Sequence, residues 1–280
     1  NEYENNVNNN WYTNYIAQWC INYTLNHIEK VKTEFQTDYT RILNKAKLSQ
    51  AEMNVWKEVA DNMYFPYSDE HQVFLQQDGF LDKELTTVDE LPKEQRPINQ
   101  HWSWDRILRS PYIKQADVLQ GYYFFEDHFS QEEHERHFNF YEPFTVHESS
   151  LSPCVHSVLA AKLGRMDQAY EFYLRTSRLD LDDYNKEVHE GLHITSMAGT
   201  WMSIVEGFGG MRVKDNTLSF EPKIPEQWEG YSFKVNFRHQ ILKVNVCKGH
   251  THFELEGDND LDIIVNGNRV SISPNNLVTV

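Results

Sequence analysis

Cationic side chains are scarce in this sequence: 26 Lys and Arg stand against 42 Asp and Glu, a formal net charge of −16. So acidic a chain repels phosphodiester backbones and anionic lipid headgroups, which argues against nucleic acid or a membrane as partner. Long apolar runs are missing too. No stretch is long enough to cross a bilayer, and no signal-peptide pattern opens the chain. Cysteine is rare: Cys20, Cys154 and Cys247 lie far apart, with no CxxC pair. Free thiols in a reducing, cytoplasmic setting are the simplest reading. Cofactor signatures are absent as well. There is no HExxH or Cys/His cluster for a metal, no GxGxxG or phosphate-loop lysine for a nucleotide, and no GxSxG elbow for a hydrolase triad. The expectation is a protein with neither metal nor organic cofactor.

What is present is aromatic residue and asparagine. Tyr, Phe and Trp make up 14% of the 280 residues, which supports a sizeable core and fits sugar-stacking surfaces. Seven of the first fourteen residues are Asn, so the chain opens as a polar loop, since Asn favours turns and caps over helix interiors. Glu2 and Glu4 sit within that loop. An acid presented among amide donors and acceptors suits work on a polyhydroxylated substrate; the plainer alternative is a solvated, frayed terminus.

Two unequal parts follow. Residues 1–210 carry helical signals. A stripe of Tyr12, Tyr15, Ile16, Trp19, Cys20, Tyr23 and Ile28 predicts a helix from Trp11 to about Glu34. Ser49 with Glu52, and Ser130 with Glu133, have capping-box spacing. An apolar helix is expected over Pro111 to Asp127, and a long irregular stretch between Met63 and Ser110. Ser152 followed by Pro153 should cap a helix that Gly164 ends, leading into a second helix over Met166–Arg178. Gly191 to Glu206, apolar almost all round, reads as a buried helix. Residues 211–280 switch to period two, with Asn266-Gly267 as a hairpin turn, and predict a small antiparallel β module.

Three groups of residues could do chemistry. Ser149, Ser150 and Ser152 run into a helix start, where hydroxyls and backbone N–H groups could hold phosphate or sulfate. His193 in the first turn of the later helix could face the same anion. Alternatively, Ser152 only caps its helix and His193 is a satisfied core histidine. Lys114 and Gln115, with Asp117 following, could bind sugar hydroxyls or form an ordinary first-turn solvent face.

These residues also carry a family resemblance. Asn1-Glu2-Tyr3 with Val7-Asn8-Asn9-Asn10-Trp11-Tyr12-Thr13-Asn14 resembles the catalytic loop of the inverting α-glucoside phosphorylases of glycoside hydrolase family 65. Lys114-Gln115-Ala116-Asp117-Val118, His147-Glu148-Ser149-Ser150-Leu151-Ser152 and His193-Ile194-Thr195-Ser196-Met197-Ala198-Gly199 resemble further motifs of that family, in the same order. The resemblance implies a mainly α fold: the second part of an α/α barrel, a toroid of helical hairpins, over residues 1–210, then a small antiparallel β domain over 211–280.

It also implies a reaction, the phosphorolysis of an α-glucobiose with inversion. The Asn1 and Asn5-Asn6 variant of the loop, where relatives often have Asp and His, points to maltose as substrate, with trehalose, kojibiose and nigerose as alternatives. Glu2 matches the general acid, and Glu4 is its rival within the loop. A neighbouring phosphate dianion would keep such an acid protonated, because like charge disfavours ionisation. By the same resemblance, Ser149, Ser150 and His193 would bind phosphate, and Lys114 and Gln115 the glucosyl unit. Inorganic phosphate is then a co-substrate. Family members carry a β-sandwich, a linker and the first half of the barrel ahead of this loop, and they commonly form homodimers. The chain is therefore expected to be a C-terminal fragment, or to be completed by a partner chain. A non-catalytic carbohydrate-binding or structural module is the rival class.

Overall fold

The computed structural model describes residues 1–280. The chain forms two compact units, Asn1–Ile113 with Asp117–Phe144 and Lys114–Ala116 with Thr145–Val280.

In the first unit, α1 (Trp11–Glu34) starts where Asn10 Oδ1 accepts hydrogen bonds from the Thr13 backbone N–H and hydroxyl, both at 2.8 Å. Phe35 leaves helical geometry, and α2 (Gln36–Ala46), which the sequence pattern did not reveal, follows at once. Then α3 (Gln50–Asp61) is capped by Ser49, whose hydroxyl accepts from Glu52 N at 3.2 Å. The stretch expected to be irregular holds a two-stranded ribbon, β1 (Tyr67–Ser68) and β2 (Val73–Phe74), and two short helices, α4 (Ile98–His101) and α5 (Trp104–Arg109). These elements are too short to show a periodicity. α7 (Gln131–Tyr141) begins with a complete Ser130–Glu133 capping box.

The helix expected from Pro111 begins only at Val118, giving α6 (Val118–Phe124). Ile113 is extended instead, its N–H bonded to Phe144 O at 2.9 Å, so the chain cannot enter helical geometry there. α1 packs on α2, α3 and α6. Trp11 is the buried centre of this packing, with ring centroids 5.4 Å from Phe74 and 5.6 Å from Tyr122. Gly121 forms its floor, since a Cβ there would lie 2.4 Å from the Trp11 ring.

In the second unit, α8 (Pro153–Lys162) and α9 (Met166–Ser177) pair across a link containing Gly164, as expected. Residues Pro153–Ala161 of α8 are buried. Ser152 does not cap α8 with its side chain; its hydroxyl is spent on the buried His147 Nδ1 at 3.0 Å. α10 (Ile194–Met202) continues into a π-helical turn, Ser203–Phe208. The burial expected for α10 is not observed: Ile194 is 67%, Met197 48% and Trp201 47% exposed. Composition cannot choose which side of a helix that is apolar almost all round is packed. Here it is the side with Ser196 and Gly199, set against Cys154 of α8 and Thr176 of α9.

The β part comprises β3 (Arg212–Lys214), β4 (Thr217–Phe220), β5 (Gly230–Phe237), β6 (Gln240–Cys247), β7 (His250–Glu256), β8 (Leu261–Val265), β9 (Asn268–Ile272) and β10 (Leu277–Thr279). They make two four-stranded sheets, in the orders β10-β7-β6-β5 and β3-β4-β8-β9. Pairing is antiparallel except between β4 and β8. Alternating inward residues such as Leu242, Val244, Phe253, Leu255 and Ile263 form a core that Val205 joins from the π turn. No helix of the chain is long and apolar enough to cross a membrane.

Candidate active site

The opening loop is not frayed. Trp11 N bonds Gln76 O at 2.9 Å, and Asp78 N bonds Asn8 O at 3.1 Å, so the loop lies along residues 76–78. Asn9 Nδ2 reaches Asp78 Oδ2 at 2.6 Å. Asn10 uses its oxygen as the α1 cap and its amide nitrogen on Gln76 O and Asp117 Oδ1, both at 3.0 Å. The Asn1 nitrogen reaches Asp117 Oδ2 at 3.2 Å, and Asn1 Nδ2 reaches Gln76 Oε1 at 3.3 Å. Burial pushes the Asp117 carboxyl up, against the opposing hydrogen bond from the Asn10 amide. Asp117 is therefore no first-turn solvent group; it is the buried acceptor that ties two loop asparagines down.

On this frame the two acidic side chains diverge. Glu2 is exposed, on a turn between Asn1 and the fully buried Tyr3. Glu4 turns inward, with Oε2 2.6 Å from Lys83 Nζ and also accepting from Gln77 Nε2. A proton donor must reach substrate, and of the pair only Glu2 is presented outward.

Lys114 and Gln115 are half-buried and lie in the loop ahead of α6, not on the helix start expected for them. In the second unit the structure links the serine and histidine motifs. Gly199, set against Cys154, lets α10 approach α8 closely. Ser150 Oγ then meets Thr195 Oγ1 at 2.5 Å, beside the first turn of α10. His193 is the N-cap residue of α10. Its backbone N–H and Nδ1 both engage Asp180, at 2.9 and 2.6 Å, and Nε2 lies 3.9 Å from Glu187 Oε2. Burial alone would raise the Asp180 carboxyl, but the two hydrogen bonds from His193 outweigh it and hold Asp180 below the usual carboxylate range. Ser149 is buried, and its hydroxyl accepts from Leu151 N at 3.2 Å, which shapes the turn. Ser150, Thr195 and His193 thus gather at one helix start, a place where backbone N–H groups favour an anion.

Sequence reasoning missed several contributors. Thr195 lies inside the motif that starts at His193, where its residue type alone marks no role. Gln76-Gln77, a polar pair after the apolar Val73-Phe74-Leu75, carried a signal: adjacent polar residues beside a buried strand need partners. Lys83 and Asp180 gave none. A cleft of about 440 Å³ in the first unit, lined by Trp102, Tyr112, Arg106 and Glu90 among others, includes none of the sequence-predicted site residues.

Residues 1–202 match the glycosyl hydrolase family 65 central catalytic domain, and residues 211–272 match the C-terminal domain of the same family. The chain belongs to glycoside hydrolase family 65. Among family-65 relatives, it is 54% identical over 255 residues to the maltose phosphorylase of Bacillus subtilis (strain 168), covering 91% of this chain and 33% of that protein. It is 43% identical over 258 residues to the α,α-trehalose phosphorylase of Thermoanaerobacter brockii, covering 92% of this chain and 33% of that one. A solved structure provisionally named a kojibiose phosphorylase from human microbiome matches with a TM-score of 0.90 at 36% identity, over 100% of this chain and 38% of that chain. The fold class is accordingly the one expected, the second part of an α/α barrel followed by a small antiparallel β domain. The chain spans about a third of the length of these curated relatives.

Proposed function

We propose that this family-65 chain is the acid- and phosphate-bearing part of an inverting phosphorylase of α-glucobioses, with maltose as substrate. Phosphorolysis of an α-glucobiose has the broader support, since the relatives above act on maltose, trehalose and kojibiose by name. Maltose is favoured by the 54% identity, against 43% for the trehalose enzyme and 36% for the kojibiose phosphorylase structure. The observation that carries the mechanism is the divergence of Glu2 and Glu4 on one braced loop.

In the proposed reaction, Glu2 gives its proton to the glycosidic oxygen as the anomeric C–O bond breaks. Hydrogen phosphate forms the new C–O bond from the opposite face of the ring, yielding β-glucose 1-phosphate and glucose. The product phosphate monoanion later returns a proton, by way of solvent, to the Glu2 carboxylate. An inverting hydrolase needs a base to activate water. Phosphate arrives as an anion and needs only to be held. Ser149, Ser150 and His193 take that task, and Lys114 and Gln115 bind the glucosyl unit. Residues 1–210 belong to the barrel and 211–280 to the β domain. The family's N-terminal portion, and a second copy in a homodimer, complete the active enzyme.

The test is glucose release from maltose by the full-length protein, with and without inorganic phosphate, alongside trehalose, kojibiose and nigerose. Release only with phosphate, fastest on maltose, is the expected result. Release without phosphate would make the protein a hydrolase. Binding without turnover of any of the four would leave a carbohydrate-binding module.

A further inference from the structure

Given Glu2 as general acid, the geometry points to Lys83, Glu4 and Gln77 as a clamp that positions it. Lys83 Nζ lies 2.6 Å from Glu4 Oε2, 3.1 Å from Leu108 O and 2.9 Å from Ser110 O. An ammonium has three protons to donate, and here each has an acceptor within the fold. The two side chains are 14% and 8% exposed. Such a lysine serves the loop rather than a ligand.

The clamp continues beyond the ion pair. Gln77 Nε2 donates to the same Glu4 oxygen, and Gln77 Oε1 accepts from Gln76 Nε2 at 2.7 Å. Gln76 Oε1 accepts from Asn1 Nδ2, and Asn1 Oδ1 accepts from Tyr3 N at 3.1 Å. Both glutamines are almost fully buried. The relay thus runs from Lys83 through Glu4, Gln77 and Gln76 to Asn1. It grips the chain two residues after Glu2 and one residue before it. Tyr3, buried edge-on to Trp104 at 6.2 Å, pins the intervening residue. What the turn leaves outward is Glu2. Glu4, which lies in the same loop, is thereby an anchor: its Oε2 accepts from an ammonium and an amide at once, the reverse of what a proton donor does.

The purpose of such bracing is precision. A proton donor displaced by even about 1 Å can lose on the order of 10²-fold in rate, because proton transfer needs a near-linear approach at hydrogen-bond distance. The loss falls on substrates whose leaving group needs the proton. A sugar alkoxide does; fluoride scarcely does.

The experiment uses the full-length enzyme and two donors, the disaccharide and α-glucosyl fluoride. Lys83→Met is expected to lower kcat on the disaccharide by about tenfold or more, with both KM values near wild type and the fluoride rate within about threefold. Gln77→Leu, a neutral change of similar size, is expected to do the same more mildly, and Lys83→Arg to recover most of the rate. Combining Lys83→Met with Glu2→Gln should cost little beyond Glu2→Gln alone, since residues acting through one group are not additive. Equal losses on both donors, or full additivity with Glu2→Gln, would overturn the clamp. Should Glu2→Gln itself keep the disaccharide rate, the reading of Glu2 as acid falls. Should Glu2→Gln be crippled while Lys83→Met and Gln77→Leu behave as wild type, the clamp alone falls.

Discussion

Ser150 Oγ lies 2.5 Å from Thr195 Oγ1, joining two motifs 45 residues apart in the chain. The contact depends on Gly199, where a Cβ would sit 2.7 Å from that of Cys154 and hold α10 away from α8. The pair places two hydroxyls beside the helix start that His193 caps. Asp180 fixes the His193 ring through Nδ1, so its orientation does not depend on a bound anion.

If this is where phosphate binds, Ser150→Ala should raise the phosphate KM about tenfold, the effect of one lost hydrogen bond to a charged group. The KM for disaccharide should change far less. Initial rates over a grid of both substrates make the comparison. Equal effects on the two constants would count against the assignment.

Glu2→Gln should reduce phosphorolysis by about 10²–10⁴, the usual contribution of a general acid. Circular dichroism should be unchanged, because the exposed carboxyl becomes an amide of the same shape and the buried contacts of Tyr3 and Glu4 are untouched. A rate near wild type with the fold intact would exclude Glu2 as the acid.

Gly121→Ala should destabilise the first unit without touching any proposed site residue. The new methyl would meet the Trp11 ring at 2.4 Å, where the indole is fully buried among Phe74, Tyr122 and Phe129 and has little room to shift. Overpacking of this kind costs about 1–3 kcal/mol. Urea unfolding followed by tryptophan fluorescence measures it; an unchanged midpoint would contradict the packing.

Acid should weaken the fold through His137. Its Nε2 accepts from Phe74 N at 2.8 Å and its Nδ1 faces Glu133 O at 2.8 Å, an arrangement that suits the neutral ring. Burial is the main reason its pKa drops to about 4, with the Glu133 carbonyl opposing. Between about pH 4 and 6.5 the unfolded ring binds a proton that the folded ring does not, so stability rises with pH across that window. It is fully present above about pH 6.5 and is lost as pH falls toward 4. The contribution reaches up to about 1.4 kcal/mol per pH unit. His156, also pushed down to about 4 by burial, acts in the same sense. His137→Gln should flatten the pH dependence of the urea midpoint by roughly one proton; an unchanged slope would refute the assignment.

Local signals were legible wherever neighbours in sequence are also the interaction partners. α1 begins and ends as its stripe predicts, Ser130–Glu133 forms its capping box, and Asn266-Gly267 turns β8 into β9 with both residues at positive φ. Asp215-Asn216 turns β3 into β4 in the same way, with two residue types that tolerate positive φ. Arg238-His239 also adopts positive φ, and there strand pairing rather than residue type imposes it. α2 was missed because it follows α1 after a single non-helical residue, Phe35, with no Gly or Pro to mark the break. The start of α6 is not legible locally, because the bond between Ile113 and Phe144 that delays it spans 31 residues.

What the sequence determined alone was the inventory and its order: an acid on an asparagine-rich loop, then a Lys-Gln pair, a serine run and a histidine, ahead of strands. Their motifs carry the resemblance to the family, and that resemblance implies the fold class. Which carboxylate turns outward was decided only in three dimensions. Glu2 and Glu4 are chemically identical two residues apart, and what separates them is Lys83, delivered from far along the chain by the packing of the first unit.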